Sequence, residues 1–134
     1  MRLGRIRILD AFRFFTPYSL DVMGKTLKSE QCKILNKYTL KPLKSIFPYE
    51  YLTGDINRIN ETMQEQQLPS RDKFKTTLKQ SELTEEDYAE AEKNWKELNC
   101  RTMYDYTMKY LQIDVLILTD LFENFRDMCL EYLE

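Results

Sequence analysis

The sequence contains no histidine. That absence excludes Ser-His-Asp and Cys-His catalysis and any metal site built on imidazole. Chemistry is left to carboxylates, tyrosines and lysines. Glycine occurs 3 times and proline 4 times in 134 residues, too few for the many turns of an all-β sandwich. The three cysteines, Cys32, Cys100 and Cys129, are odd in number and far apart. They fit neither a zinc spacing nor a disulfide framework, which points to a reducing intracellular compartment. No apolar run approaches the ~18 residues of a membrane span, and Met1-Arg2-Leu3-Gly4-Arg5 lacks the apolar core of a secretory signal.

What is present is enough for a core. Hydrophobic residues make up 43% of the chain and aromatics 13%, so wholesale disorder is not expected. The length suits one domain or part of one. The net charge is only −2 but is unevenly spread. Residues 1–48 carry ten Lys/Arg against three Asp/Glu, a net of +7, and residues 49–134 carry ten against nineteen, a net of −9.

Along the chain, Gly4–Asp10 alternates polar and apolar residues and predicts one short strand. No second convincing strand is found to pair with it, and an isolated strand is not stable. Together with a periodic segment still running at Glu134, this suggests a piece of something larger. Ser19 predicts a helix N-cap with Asp21 in the first turn, and Leu20, Met23 and Leu27 form its stripe. A second short helix is expected over 29–38, with Cys32 and Leu35 inward, broken by Lys41-Pro42. Ile46–Leu52 is aromatic and proline-bounded, and Gly54-Asp55 signals a turn. Residues 55–70, polar and rich in Asn and Gln, read as loop, with a helical turn starting near Leu68–Asp72. Thr84 predicts the next N-cap, with Glu85, Glu86 and Asp87 at the positive end of the helix dipole. Tyr88, Ala91, Trp95 and Leu98 then recur at helical spacing as core positions. A long helix is expected over about 102–134, with a stripe of Met103, Tyr106, Tyr110, Ile117, Leu121, Phe125, Met128 and Tyr132. The fold class is thus α+β and mostly helical, with one N-terminal strand and a long C-terminal helix.

That last stripe passes through Asp114, with Tyr110 one turn earlier on the same face. A carboxylate among Leu111, Ile113, Val115 and Leu116 is costly unless it is paired, hydrogen-bonded or bound to metal. Two readings follow. In one, Asp114 sits at the rim of the stripe, satisfied by a lysine or a backbone amide. In the other it does chemistry.

Tyr110-Leu-Gln-Ile-Asp114 matches Tyr-x-x-x-Asp, the third exonuclease motif of family B DNA polymerases. With Trp95–Cys100, Thr119–Tyr132, Arg7–Phe14 and Phe47-Pro-Tyr-Glu-Tyr-Leu52 around it, in the right order, the chain resembles the protein-primed (type B-2) DNA polymerases of viruses, linear plasmids and self-synthesising transposons. The resemblance implies that residues 1–134 are the later part of a 3′–5′ exonuclease domain, an incomplete ribonuclease H-like fold leading toward a polymerase domain. It implies a DNA-directed DNA polymerase, a nucleotidyltransferase of DNA replication with proofreading. It implies Mg²⁺ or Mn²⁺ as cofactors, a single-stranded primer end as substrate and a terminal priming protein as a partner. Asp114 is then the metal ligand and Tyr110 orients the attacking water or the scissile phosphate.

The departures from the family pattern set limits. The first motif, Asp-x-Glu, and the aspartate of the second are absent, and one remaining ligand is too few for two metals. The chain alone is therefore expected to be inactive and to bind no metal. Asp10 reads as a capping or turn residue rather than a second ligand. A Ser or Thr common in relatives after the strand is replaced here by Ala11-Phe12. Phe12, Phe14 and Phe15 stack on bases in one reading and belong to the core in the other. Arg2, Arg5, Arg7, Arg13, Lys25 and Lys28 contact phosphate or form a solvated face. Phe12, Arg13 and Lys25 are the candidate DNA contacts. The alternative to a replication enzyme is a non-catalytic helical interaction module or DNA-binding remnant.

Overall fold

The computed structural model describes residues 2–7, 10, 14, 18–38, 46–75 and 83–133. The expected break at Lys41-Pro42 and the side chains of Phe12, Arg13 and Phe15 lie outside these residues. The chain is mostly helical. Five α-helices are described: α1 (Leu20–Thr26), α2 (Lys33–Lys37), α3 (Ile56–Met63), α4 (Glu85–Glu97) and α5 (Met103–Glu131). Of the single strand expected over residues 4–10, the part described as strand is Ile6–Arg7, and it belongs to a small antiparallel hairpin. Its strands β1 (Arg2–Leu3) and β2 (Ile6–Arg7) pair Arg2 with Arg7 and Leu3 with Ile6. Gly4, with φ of +60°, makes the tight turn that lets the chain pair with itself. The sequence reading missed this partner because it lies only three residues upstream.

The 29-residue α5 is the axis of the molecule. Thr102 caps it by accepting from the Asp105 N–H, while Asp105 accepts from the N–H groups of Arg101 and Thr102. This reciprocal cap satisfies donors that the helix itself cannot pair. The Met103 N–H donates to the Glu65 carbonyl at 2.8 Å, which joins the start of α5 to the end of α3. Met103 itself is fully buried.

Helices α1 and α2 cover the middle of α5. Cys32 and Leu35 bury against Ile113, Leu116, Ile117 and Leu121, with Leu20, Met23 and Leu27 packed at the edge. At Gly24 an added Cβ would lie 3.2 Å from the Ile117 side chain, so the absence of one lets α1 approach α5 closely. The expected helix over 29–38 is divided: a 3₁₀ turn at Ser29–Gln31 precedes α2. On the other side, Ala91 of α4 meets Ile46 and Phe74, and Cys100, Met103 and Tyr106 form a third cluster with Trp95 and Phe47.

Two sequence expectations fail in informative ways. Residues 55–70 do not form a loop throughout, because α3 occupies Ile56–Met63. Asp55, read as a turn residue, caps that helix through the N–H groups of Asn57 and Arg58. Ile59, Thr62 and Met63 then supply a helical face despite the polar composition. The long stripe also stops early. Met128 is 47% exposed and Tyr132 86% exposed, and α5 ends at Glu131. Periodicity marks a face, but only a neighbouring element buries it.

Candidate functional site

Tyr110 and Asp114 lie one turn apart on α5, as their spacing requires. The Asp114 carboxylate lies near enough for its negative charge to act on the Tyr110 phenol. Both side chains are half-buried. Asp114 therefore stands at the rim of the buried face, which runs through Ile113, Leu116, Ile117 and Leu121 beside it.

A second segment completes the surroundings. Residues 46–52 cross α5 at this point. The Tyr106 hydroxyl donates to the Ile46 carbonyl at 2.8 Å. The Phe47 ring stacks on Tyr110, with centroids 4.4 Å apart and planes at 21°. Tyr49 meets Tyr110 edge-on at 6.1 Å, and the two hydroxyls are hydrogen-bonded to each other. Burial, the bond to Tyr49 and the negative charge of Asp114 push the Tyr110 phenol well above the usual range. Burial does the same to Tyr106. At neutral pH Tyr110 thus keeps its proton, with its hydroxyl bonded to that of Tyr49.

The proposed DNA contacts are not gathered at this pair as a group. Phe12 and Arg13 lie outside the described residues. Lys25 is exposed in the last turn of α1, next to Gly24. Phe14 is 46% exposed and meets Phe122 and Phe125, with centroids at 5.7 and 6.2 Å. This is the edge of a cluster rather than a buried core position. Asp10 is exposed. Among the described residues no group of three His, Cys, Asp or Glu side chains is arranged to hold a metal ion. Asp114 alone does not make a two-ion centre. No helix among the described residues is long and apolar enough to cross a membrane.

The sequence reading missed the buried acid of α5. Asp120 is completely buried and accepts from the N–H of Ile34 at 2.7 Å and of Leu35 at 2.9 Å. These are orphan donors at the start of α2, whose own N-cap residue, Cys32, makes no side-chain cap. Asn124 and Asp127 extend this ladder along the same face. Asn124 donates to the Gln31 carbonyl and Asp127 pairs with Lys33 at 2.8 Å. The signal was the spacing of residues 120, 124 and 127, all short and polar and one turn apart on a single face of the helix. Their partners, however, lie about ninety positions away.

No family model, curated protein or solved structure matches the chain.

Proposed function

We propose that the chain is a segment of a family B, protein-primed DNA polymerase, from the later part of a ribonuclease H-like 3′–5′ exonuclease domain. What supports this reading is that Tyr110 and Asp114 stand one turn apart on one face of α5. Phe47 and Tyr49, from a separate stretch that carries the same resemblance, pack onto Tyr110. The polymerase supplies DNA synthesis and the exonuclease removes misincorporated nucleotides from a single-stranded primer end. Mg²⁺ or Mn²⁺ and a terminal priming protein belong to the complete enzyme.

Asp114 is one metal ligand of that enzyme, and the remaining acids come from motifs this chain does not carry. Tyr110 keeps its proton at neutral pH because burial disfavours the phenolate. It can therefore donate to an anionic phosphate oxygen, which a phenolate would repel. The chain by itself has no nuclease or polymerase activity in this reading.

A second reading has one observation in its favour. Tyr104, Met108, Leu111 and Val115 recur at helical spacing on α5 and are 47–61% exposed. Such a stripe suits a helical interaction module.

Sequencing the complete transcript that encodes the chain separates the two. An Asp-x-Glu motif upstream and paired palm aspartates downstream support the polymerase. A reading frame with neither sinks it and leaves the interaction module.

A further inference from the structure

A helix backbone does not fix where a tyrosine hydroxyl points. On α5, Tyr110 has two ordinary χ1 wells, and only packing selects one. The selecting contact comes from outside the helix. Phe47 lies between Tyr110, 4.4 Å away, and Tyr106, 6.1 Å away and nearly parallel at 8°. These tyrosines are one turn apart, so the Phe47 ring occupies the gap between successive rings of one helix face.

Phe47 is itself held on three sides. Tyr106 is 4% exposed, and its hydroxyl ties down the Ile46 carbonyl immediately before Phe47. Pro48, fully buried, follows and restricts the Phe47 backbone to extended conformations. Trp95 backs Tyr106 from α4 at 5.5 Å. The Tyr110 ring cannot swing toward Tyr106 without expelling Phe47.

We infer that Phe47 is a positioning residue for Tyr110, and that Tyr106 positions Phe47 through the Ile46 carbonyl. The stack holds the Tyr110 ring beside Tyr49, whose hydroxyl it meets. That Tyr110 serves an exonuclease rests on the function proposed above; the positioning itself does not. Phe47 acts through Tyr110.

The test follows the ring resonances of Tyr110 in the 134-residue chain, for wild type, Phe47→Leu and Phe47→Tyr. In wild type Tyr110 should show ring cross-relaxation to Tyr49, which it meets edge-on at 6.1 Å. In Phe47→Leu that Tyr110–Tyr49 cross-relaxation should be lost, while the resonances of Tyr51 and Tyr88 stay in place. Phe47→Tyr, which keeps an aromatic ring, should restore it. Retained Tyr110–Tyr49 cross-relaxation in Phe47→Leu overturns the inference. So does a joint displacement of the Tyr51, Tyr88 and Tyr110 resonances, which would mean that the variant only loosens the fold. If Phe47→Leu does not fold, the wild type decides. Cross-relaxation between the Phe47 and Tyr110 rings with upfield-shifted Tyr110 protons supports the stack, and their absence refutes it. Failure of the polymerase reading would appear in the transcript and in nuclease assays, not in these resonances.

Discussion

The carboxylate of Asp120 accepts the backbone N–H of Leu35 at 2.9 Å, across 85 residues of sequence. Its second oxygen takes the neighbouring N–H of Ile34. A side chain on one helix thereby caps another, and α2, only five residues long, is anchored to α5. So short a helix has no independent stability.

Asp120→Ala should therefore destabilise the chain strongly. It leaves two N–H groups without acceptors at a buried site, a loss of about 3 kcal/mol or more. Asp120→Asn should not rescue it, because an amide N–H then faces a backbone N–H. Urea unfolding checks both variants. A loss below about 1 kcal/mol in Asp120→Ala would mean that α2 is held mainly by Leu35 and Cys32.

Acid should weaken the same framework from two half-buried positions. The Arg101 N–H, with that of Thr102, holds the Asp105 carboxyl below the usual range. The hydrogen bond and charge of Lys33 do so for Asp127. A depressed carboxyl stabilises the fold above its unfolded value of about 4, and that stability is lost as pH falls further. Asp105→Asn and Asp127→Asn should each flatten the fall of the urea midpoint below pH about 4. Curves parallel to wild type would contradict this.

Alkali acts in the opposite sense. Burial raises Tyr106 and Tyr110. Their stabilisation is complete below the unfolded phenol value of about 10 and is lost as pH rises above it. Phenolate absorbance and circular dichroism recorded together should show late-titrating tyrosines ionising as the helices melt. A single early titration of all nine tyrosines with the helices intact would be inconsistent with the buried cluster.

The thiols should react in a fixed order. Cys32 and Cys100 are buried, and burial pushes the Cys100 thiol up to about 11 and raises Cys32 as well. Only the thiolate attacks a disulfide reagent. Cys129, half-buried near the end of α5, should be modified first. The other two should wait for unfolding, at a rate that denaturant increases. Equal modification rates at Cys100 and Cys129 in the native chain would contradict the third cluster.

What was legible in the sequence was local. Ser19, Thr84 and Thr102 each cap the helix they were read to start, because the cap and its N–H partners lie within three residues. Cys32 and Leu35 face inward as their spacing requires. Asp55 caps a helix where the sequence suggests a turn, because Gly54-Asp55 suits both equally well. Periodicity points to Asp114 as the odd acid of the stripe and not to Asp120, because burial depends on partners far along the chain. The meeting of Phe47 and Tyr49 with Tyr110 was hidden for the same reason. The sequence marked both stretches and said nothing of their contact.

The most direct test of the account uses the polypeptide encoded by the complete transcript, wild type and Asp114→Ala. Digestion of a single-stranded 3′ end and extension of a primer are measured on the same preparations. The account predicts that Asp114→Ala lowers digestion by about two orders of magnitude or more and largely spares extension. Equal loss of both activities, or no loss of digestion, would mean that Asp114 is only a half-buried residue at the rim of the α5 face and not part of a nuclease.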